Sequence, residues 1–126
     1  MFTKIFTNNM IVNRFKILCV DKKEKYLFLF NGYRKGKFSI DHLKTINVLT
    51  NKDLGGIDLF FVVLYNDRDA FELLKLKNIS TPIIIGSENT TILKKVKKLD
   101  CFSVVDMSPN VNLMVEFHDC VRQILR

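Results

Sequence analysis

The alternation of apolar runs with helical segments is the feature that most restricts how this chain can fold. Strands buried on both faces of a sheet read as short apolar runs, and strands that alternate with helices pair in parallel. Five such runs are present, namely FKILCV (15–20), KFSIDHL (37–43), IDLFFVVLY (57–65), TPIIIGS (81–87) and CFSVVDMS (101–108). The sequence therefore predicts an α/β fold, with five parallel strands and helices on both faces.

Three of the intervening segments carry clear helix signals. Asp69 with Glu72 three residues later forms a capping-box pattern, which predicts that Asp69 caps a helix running to about Lys77. The segment 89–99 and the segment after Pro109 each place apolar residues on one helical face. These faces consist of Ile92, Leu93, Val96 and Leu99 in the first segment, and of Met114, Phe117, Val121, Ile124 and Leu125 in the second.

The segment from Lys23 to Arg34 carries conflicting signals. Asn31-Gly32 is typical of a hairpin turn, whereas the apolar spacing between Tyr26 and Tyr33 suits a helix. We predict a helix that ends near Gly36, because the continuous apolar stretch in this segment does not alternate as a strand would.

The two remaining segments give weaker signals. A short helix is predicted within Lys44 to Lys52, and Gly55-Gly56 marks where this segment ends. Residues 1–13 precede the first buried run, and we expect them to form either an added edge element or a loose arm. Since no linker divides the chain, residues 1–126 are predicted to form a single domain.

The composition limits the class of protein. With 48% hydrophobic and 26% charged residues, the chain suits an ordinary folded domain. No apolar run approaches the roughly 20 residues that span a bilayer, and the N-terminus lacks the features of a signal peptide. We therefore expect a cytoplasmic protein without membrane contact. Cys19, Cys101 and Cys120 lie in apolar runs without metal or disulfide spacing, which predicts buried, reduced thiols.

The net charge of +7 permits two interpretations. It can indicate a nucleic-acid or acidic-protein partner, or it can reflect a lysine-rich solvated surface. Helix-turn-helix, finger and aromatic–basic patterns, which would favour nucleic acid, are not found in the sequence.

Signals for catalysis or cofactor binding are weak. The loop after the first run, DKKEKY, lacks the hydroxyl and glycine residues of a flavin phosphate loop, and no GxGxxG follows a strand. His42 and His118 stand far apart without recognisable catalytic neighbours. We expect no enzymatic activity and no cofactor.

Taken together, these segments resemble a response-regulator receiver domain over about Arg14 to Arg126. The resemblance rests on the order and spacing of KILCVD, IDLFFVVLYNDRDAFELLKL, STPIIIGSE and VVDMSP. It implies a flavodoxin-like, doubly wound sheet of five parallel strands in the order 2-1-3-4-5.

The receiver family has a phosphorylation site at the carboxyl ends of its strands. An acidic pair after the first strand helps to bind magnesium, and an aspartate that ends the third strand attacks phosphorus. A Ser or Thr that ends the fourth strand and a lysine before a proline after the fifth contact the phosphoryl oxygens.

This chain matches only part of that set. The resemblance puts Asp21 and Lys22 at the acidic pair, Ser87 at the hydroxyl position and Ser108 at the lysine position. The phosphoacceptor position falls on Val63, or on Val62 by a second alignment, and neither side chain can act as a nucleophile or metal ligand. The resemblance therefore implies a degenerate pseudo-receiver without a metal site.

Two other acids could be proposed as replacements for the missing aspartate. Asp67 and Asp69 lie just beyond the third run. Helix capping explains Asp69 and loop solvation explains Asp67, so we do not expect either to restore the site.

The resemblance also implies a partner surface. Receivers commonly contact partners through the fourth helix, fifth strand and fifth helix. In this chain the corresponding residues are Lys94, Lys95, Lys97, Lys98, Asp106 and Arg122. We expect a non-phosphorylatable adaptor that binds a protein partner or itself through this face; the alternative is a basic nucleic-acid-binding protein, or a lysine face that is merely solvated.

Overall fold

The computed structural model describes residues 2–7, 10–33, 37–46, 55–109 and 112–125, with side chains from residue 15 onward. The strands are β1 (Phe2–Thr7), β2 (Met10–Val20), β3 (Phe38–Leu43), β4 (Leu59–Val63), β5 (Ile83–Ser87) and β6 (Ser103–Asp106). The α-helices are α1 (Asp67–Glu72), α2 (Thr90–Lys97) and α3 (Leu113–Leu125), and 3-10 turns cover Leu27–Phe30 and Leu73–Leu76.

The five strands that follow β1 form a parallel sheet in the order β3-β2-β4-β5-β6. This order is the predicted 2-1-3-4-5 arrangement of a flavodoxin-like fold, so the predicted fold is confirmed. β2 lies between β3 and β4, with Ile17 opposite both Ile40 of β3 and Leu59 of β4. The continuous apolar runs are explained by burial, because every residue of β4 and β5 is buried.

Residues 2–7 form the additional strand β1, which pairs antiparallel with the first half of β2. Phe2 lies opposite Phe15, and Thr7 lies opposite Met10. The first buried strand therefore begins at Met10, five residues before the apolar run suggested. The apolar run marks only the part of β2 that has parallel neighbours.

The helix predicted between Lys23 and Gly36 is wrong for the described part of that segment. Only one 3-10 turn forms, at Leu27–Phe30, and Glu24 adopts a left-handed backbone with φ of 56°. This conformation is unfavourable for a non-glycine residue within a helix. One turn is sufficient to bury Leu29 and Phe30 completely. The short helix predicted within Lys44 to Lys52 falls largely on 47–54, outside the described residues.

The capping box of α1 lies three residues earlier than predicted. Asn66 is the N-cap, and its side chain accepts a hydrogen bond from the Asp69 backbone N–H at 2.9 Å. Asp69 is the acidic partner, which accepts from the Asn66 N–H at 3.3 Å. The prediction that Asp69 caps the helix was therefore wrong. Asn66, in the loop after β4, is the cap, and asparagine is as good an N-cap as aspartate.

The apolar faces of α2 and α3 are largely as predicted. Ile92, Leu93 and Val96 of α2 are buried, but Leu99 lies beyond the helix end and is 45% exposed. In α3, Phe117 and Val121 are buried and Ile124 is partly buried. Met114 and Leu125 are exposed, because the face that meets the sheet instead continues through Leu113 and Cys120.

The two faces of the sheet carry separate apolar cores. Val20, Val62 and Ile85 pack on the side of α1 and α2. Ile17, Phe61 and Phe117 pack on the side of α3, where the rings of Phe61 and Phe117 are 4.9 Å apart at an edge-on angle.

The three cysteines differ in their surroundings. Cys19 is buried, and burial together with the charge of Asp21 raises the pKa of its thiol to about 12. Cys120 is partly buried, and Cys101 is exposed, so the prediction that all three are buried was wrong. Cys101 lies in the loop before β6, where Phe102 rather than the cysteine packs against the core. Within the described residues, no helix is long and apolar enough to cross a membrane.

Gly86 tests the packing at the end of β5. A Cβ added there would contact the Sδ of Met107 and the ring of Phe61. We expect Gly86→Ala to lower the free energy of unfolding by about 1–3 kcal/mol in urea denaturation. Gly32→Ala is the matched control, because nothing lies within 4 Å of its added Cβ, and it should change stability by less than about 0.5 kcal/mol. Equal stability of both variants would contradict this packing.

Candidate functional site

The candidate site lies where β2, β4 and β5 end at the same edge of the sheet. Asp21 directly follows β2, and Ser87 is the last residue of β5. Ligands of doubly wound sheets bind at this carboxyl edge, next to the strand where the order reverses. A pocket of about 290 Å³ is present there, lined by Lys23, Tyr26, Val63, Leu64, Tyr65, Ser87, Glu88 and Asn89.

Val63, which the resemblance puts at the phosphoacceptor position of a receiver, is one of the residues that line the pocket. Its side chain belongs to the core on the α3 side, whereas Val62 packs on the opposite face of the sheet. The structure therefore places Val63 rather than Val62 at the site. A valine offers neither a nucleophilic atom nor a metal ligand there.

The carboxylate of Asp21 is fully buried, and each of its oxygens accepts hydrogen bonds. Oδ1 accepts from the Lys23 backbone N–H at 3.1 Å and from the hydroxyl of Tyr65. Oδ2 accepts from the backbone N–H of Tyr26 at 2.9 Å. These bonds satisfy a buried charge that would otherwise be costly. In the folded chain, Asp21 therefore joins two loops to the end of β2.

Two tyrosines bond to carboxylates around the pocket. Besides the Tyr65 bond to Asp21, the hydroxyl of Tyr26 donates to Glu88, which also pairs with Lys25 at 3.2 Å. Burial, followed by these hydrogen bonds, raises the pKa of both tyrosines well above the ordinary tyrosine value. The hydrogen bonds from Tyr26 and Lys25 lower the pKa of Glu88.

The lysines after Asp21 have partners of their own. Lys22, at the position of the second acid, donates to Asp69 Oδ1 at 2.8 Å. The ammonium group of Lys23 lies over the ring of Tyr65, 4.7 Å from its centroid, which is a favourable cation–π distance. The lysines near the pocket are therefore engaged, Lys22 by a carboxylate and Lys23 by an aromatic ring.

The two acids considered as replacements are also engaged. Asp69 accepts from Lys22 and from the Tyr65 backbone N–H at 2.7 Å, in addition to its capping bond. Asp67 pairs with Lys95 across to α2, at 3.6 Å. Within the described ranges, no three His, Cys, Asp or Glu side chains are grouped closely enough to hold a metal ion.

Ser87 and Ser108 occupy different surroundings. The hydroxyl of Ser87 is buried in the site, donates to the carbonyl of Leu64 at 2.7 Å and accepts from the Asn89 N–H at 3.0 Å. It therefore connects β4 to the start of α2. The backbone N–H of Ser108 donates to Asp106 at 2.8 Å, and Ser108 does not line the pocket.

The predicted partner face is only partly assembled. Lys94, Lys97 and Asp106 line one groove of about 350 Å³, together with Glu116 and the apolar residues Leu93 and Val104. Lys95 instead pairs with Asp67, and Arg122 pairs with Asp119 on the same helix. Lys98 is exposed at the end of α2. The predicted six residues thus divide between the groove and neighbouring surfaces.

The sequence interpretation missed Tyr26, Tyr65 and Glu88. A signal existed for Tyr65, because it lies only two residues after Val63 and a buried Asp21 requires a donor. The pairing itself could not be read from the sequence, since 44 residues separate Tyr65 from Asp21.

Comparisons with known proteins show the same fold. No protein-family model and no curated protein matches the chain. A signal receiver domain of a two-component histidine kinase from Clostridium thermocellum is 19% identical, with a TM-score of 0.67; the match covers 88% of this chain and 97% of that chain. A fusion chain carrying a segment of the yeast Spc42 trimeric coiled coil is 18% identical, with a TM-score of 0.61, covering 93% and 80%. The chain therefore has a receiver-like fold.

Tyr65→Phe tests the hydrogen bond to Asp21. The substitution keeps the ring but removes a donor from a buried carboxylate, so we expect a loss of about 1–3 kcal/mol in the free energy of unfolding at neutral pH. Tyr33→Phe is a control for loss of a tyrosine hydroxyl away from the site, since Tyr33 bonds to His118 at 2.6 Å.

The pH dependence provides a second readout of the same variant. Because the pKa of Tyr65 is raised in the folded chain, the unfolded chain loses this proton first, and wild-type stability should fall as pH rises above about 10. The free energy of unfolding of Tyr65→Phe should decrease less steeply over the same pH range. Parallel stability curves for wild type and variant would contradict the assignment.

Proposed function

We propose that this chain is a receiver-like signalling or adaptor domain that accepts no phosphoryl group and acts through protein contacts. The observation that carries the proposal is the site geometry, in which Val63 lines the pocket and the oxygens of Asp21 are already bonded. The receiver-like fold supplies the scaffold, and the likeness to a signal receiver domain supports a role in signalling.

The first argument concerns the nucleophile. Phosphorylation of a receiver requires a carboxylate oxygen to attack the phosphorus of the donor. Val63 has no such atom. Asp21 and Asp69, the buried carboxylates nearest to the site, are held by backbone N–H groups and by Tyr65 or Lys22, so attack would require breaking several of these bonds.

The second argument concerns the metal ion. Magnesium binds through oxygen ligands and would need to displace the Tyr65 hydroxyl from Asp21. Lys22 and Lys23 would also repel the incoming ion over a short distance. The Tyr65 hydroxyl thus stabilises the charge of Asp21 by a hydrogen bond, as a bound cation would stabilise the matching acid of a receiver by its charge.

The histidines support a role other than catalysis. Nε2 of His42 lies 2.9 Å from the backbone carbonyl oxygen of Asp21, and His118 bonds to and stacks on Tyr33. Both rings therefore have structural partners. We propose that the protein is not an enzyme and that partner binding, rather than chemistry, changes its state.

The groove between α2 and β6 is the proposed contact surface. Lys94 and Lys97 line it together with Asp106 and Glu116, around the apolar residues Leu93 and Val104. This mixture suits a protein segment that combines apolar side chains with charged ones, including acids that reach the two lysines.

Nucleic acid is the second candidate because of the net charge of +7 and the lysines of α2. The same groove, however, contains the carboxylates of Asp106 and Glu116. These groups would repel backbone phosphates. They repel acidic side chains as well, but a protein segment can also place apolar side chains on Leu93 and Val104, so we favour a protein partner.

A phosphodonor experiment tests the inactive site. Incubation with acetyl phosphate and magnesium should leave the intact mass of the protein unchanged, because no acceptor carboxylate is free at the pocket. An active receiver treated in parallel confirms that the donor works. Phosphorylation at Asp21 or Asp69 would contradict the proposal.

Affinity capture from the source cells tests the contact surface. Wild-type protein should retain a partner that Lys94→Glu/Lys97→Glu loses, because two ammonium groups of the groove become carboxylates. Lys37→Glu/Lys77→Glu, at exposed positions outside the groove, is the control of equal charge change. Capture of nucleic acid with a steep salt dependence would favour the second candidate; equal capture by all three proteins would contradict the proposed surface.

A further inference from the structure

Four charged residues with the sequence KKEK, residues 22–25, follow β2 at the carboxyl edge of the sheet. All four are exposed, whereas Asp21 and Tyr26 on either side of them are buried. Lys23 lines the pocket of about 290 Å³, and its ammonium group lies over the ring of Tyr65. We call residues 22–25 the lid, and Asp21 and Tyr26 its hinges.

Ion pairs join the lid to three other parts of the fold, which are α1, the loop between β5 and α2, and the residue after β3. The pairs are Lys22 with Asp69 at 2.8 Å, Lys25 with Glu88 at 3.2 Å, and Glu24 with Lys44 at 3.9 Å. In the last two pairs both side chains are exposed, so each pair contributes little and is screened by salt. The lid is therefore held from several sides by contacts that depend on ionic strength.

The remaining contacts of the lid are weaker than those of the core. The lid contains no apolar residue that could anchor it in either apolar core. Its backbone is held by two hydrogen bonds to Asp21, in which the Lys23 N–H donates to Oδ1 and the Glu24 N–H donates to the carbonyl oxygen, each at 3.1 Å. Glu24 has a φ of 56°, which is unfavourable for a glutamate. A segment held in this way opens at a lower free energy than the strands beside it.

We propose that the lid opens and closes over the pocket as a unit about its hinges, and that its ion pairs set how often it is open. Opening breaks the bonds of the Lys23 and Glu24 N–H groups to Asp21 and moves Lys23 away from the Tyr65 ring, which widens the entrance of the pocket. Asp21 keeps its bonds from the Tyr26 N–H and the Tyr65 hydroxyl. The open lid therefore frees no phosphoacceptor, and the inference does not depend on the proposed function.

Hydrogen exchange of single backbone amides, followed by NMR at constant pH, tests the lid. Between ionic strengths of about 0.02 M and about 0.5 M, the Lys23 and Glu24 amides should exchange at least about threefold faster, because salt screens the exposed ion pairs. The Tyr26 amide should stay protected, since it belongs to a hinge. The amides of Leu64 and Met107 bond to carbonyl groups at the same edge and should not change. An unfolded peptide corrects for the effect of salt on intrinsic exchange.

Substitutions test the ion pairs one at a time. Lys25→Gln should speed exchange of the two lid amides at low salt by about twofold, and it should leave less for salt to change. Lys22→Gln should have the larger effect, because its partner Asp69 is largely buried. Lys16→Gln is the matched control, since it removes the same charge and an ion pair with Asp41 at 3.3 Å that lies outside the lid.

Circular dichroism of each variant verifies the fold. Lid amides that are unprotected at low salt or do not respond to salt would overturn the proposal. An equal response of the control amides at the same edge, which indicates global unfolding, would also overturn it, as would equal effects of Lys25→Gln and Lys16→Gln.

Discussion

The buried carboxylate of Asp21 is the constraint on which the candidate site depends. It directly follows β2, is not exposed to solvent, and is tolerated there only because it is hydrogen-bonded. Its two oxygens order the loop through Lys23 and Tyr26 and draw in the hydroxyl of Tyr65 from the end of β4. Removing any of these donors would leave charge unsatisfied in the core.

A structural network therefore occupies the place where a receiver performs chemistry. The Ser87 hydroxyl bonds to the backbone of Leu64 and of Asn89. Lys22, a base rather than an acid, bonds to Asp69. In a low-dielectric site these bonds strengthen one another and favour a single arrangement. The carboxyl edge of the sheet is therefore held by this chain's own side chains.

The sequence predicted the sheet well and the segment after β2 poorly, because residue type marks a buried strand whereas long-range hydrogen bonds decided the loop. A strand buried on both faces must be apolar at every position, so β4 and β5 could be identified from composition alone. The segment after β2 contains enough apolar residues for a helix, but the backbone of Lys23 and Tyr26 bonds to Asp21 instead of continuing one. Tertiary contacts there override local propensity.

The sequence by itself determined the buried strands, because a continuous apolar run is a local property of residue type. The order of the strands was implied by the resemblance to receiver domains, which also points to valine at the compared position in either alignment. Only the tertiary structure decided that Tyr65 bonds to Asp21 and that Lys22 bonds to Asp69, across 44 and 47 residues. Such pairs exist only after parallel strands bring their carboxyl ends to one edge, and no local pattern records which donor reaches which acid.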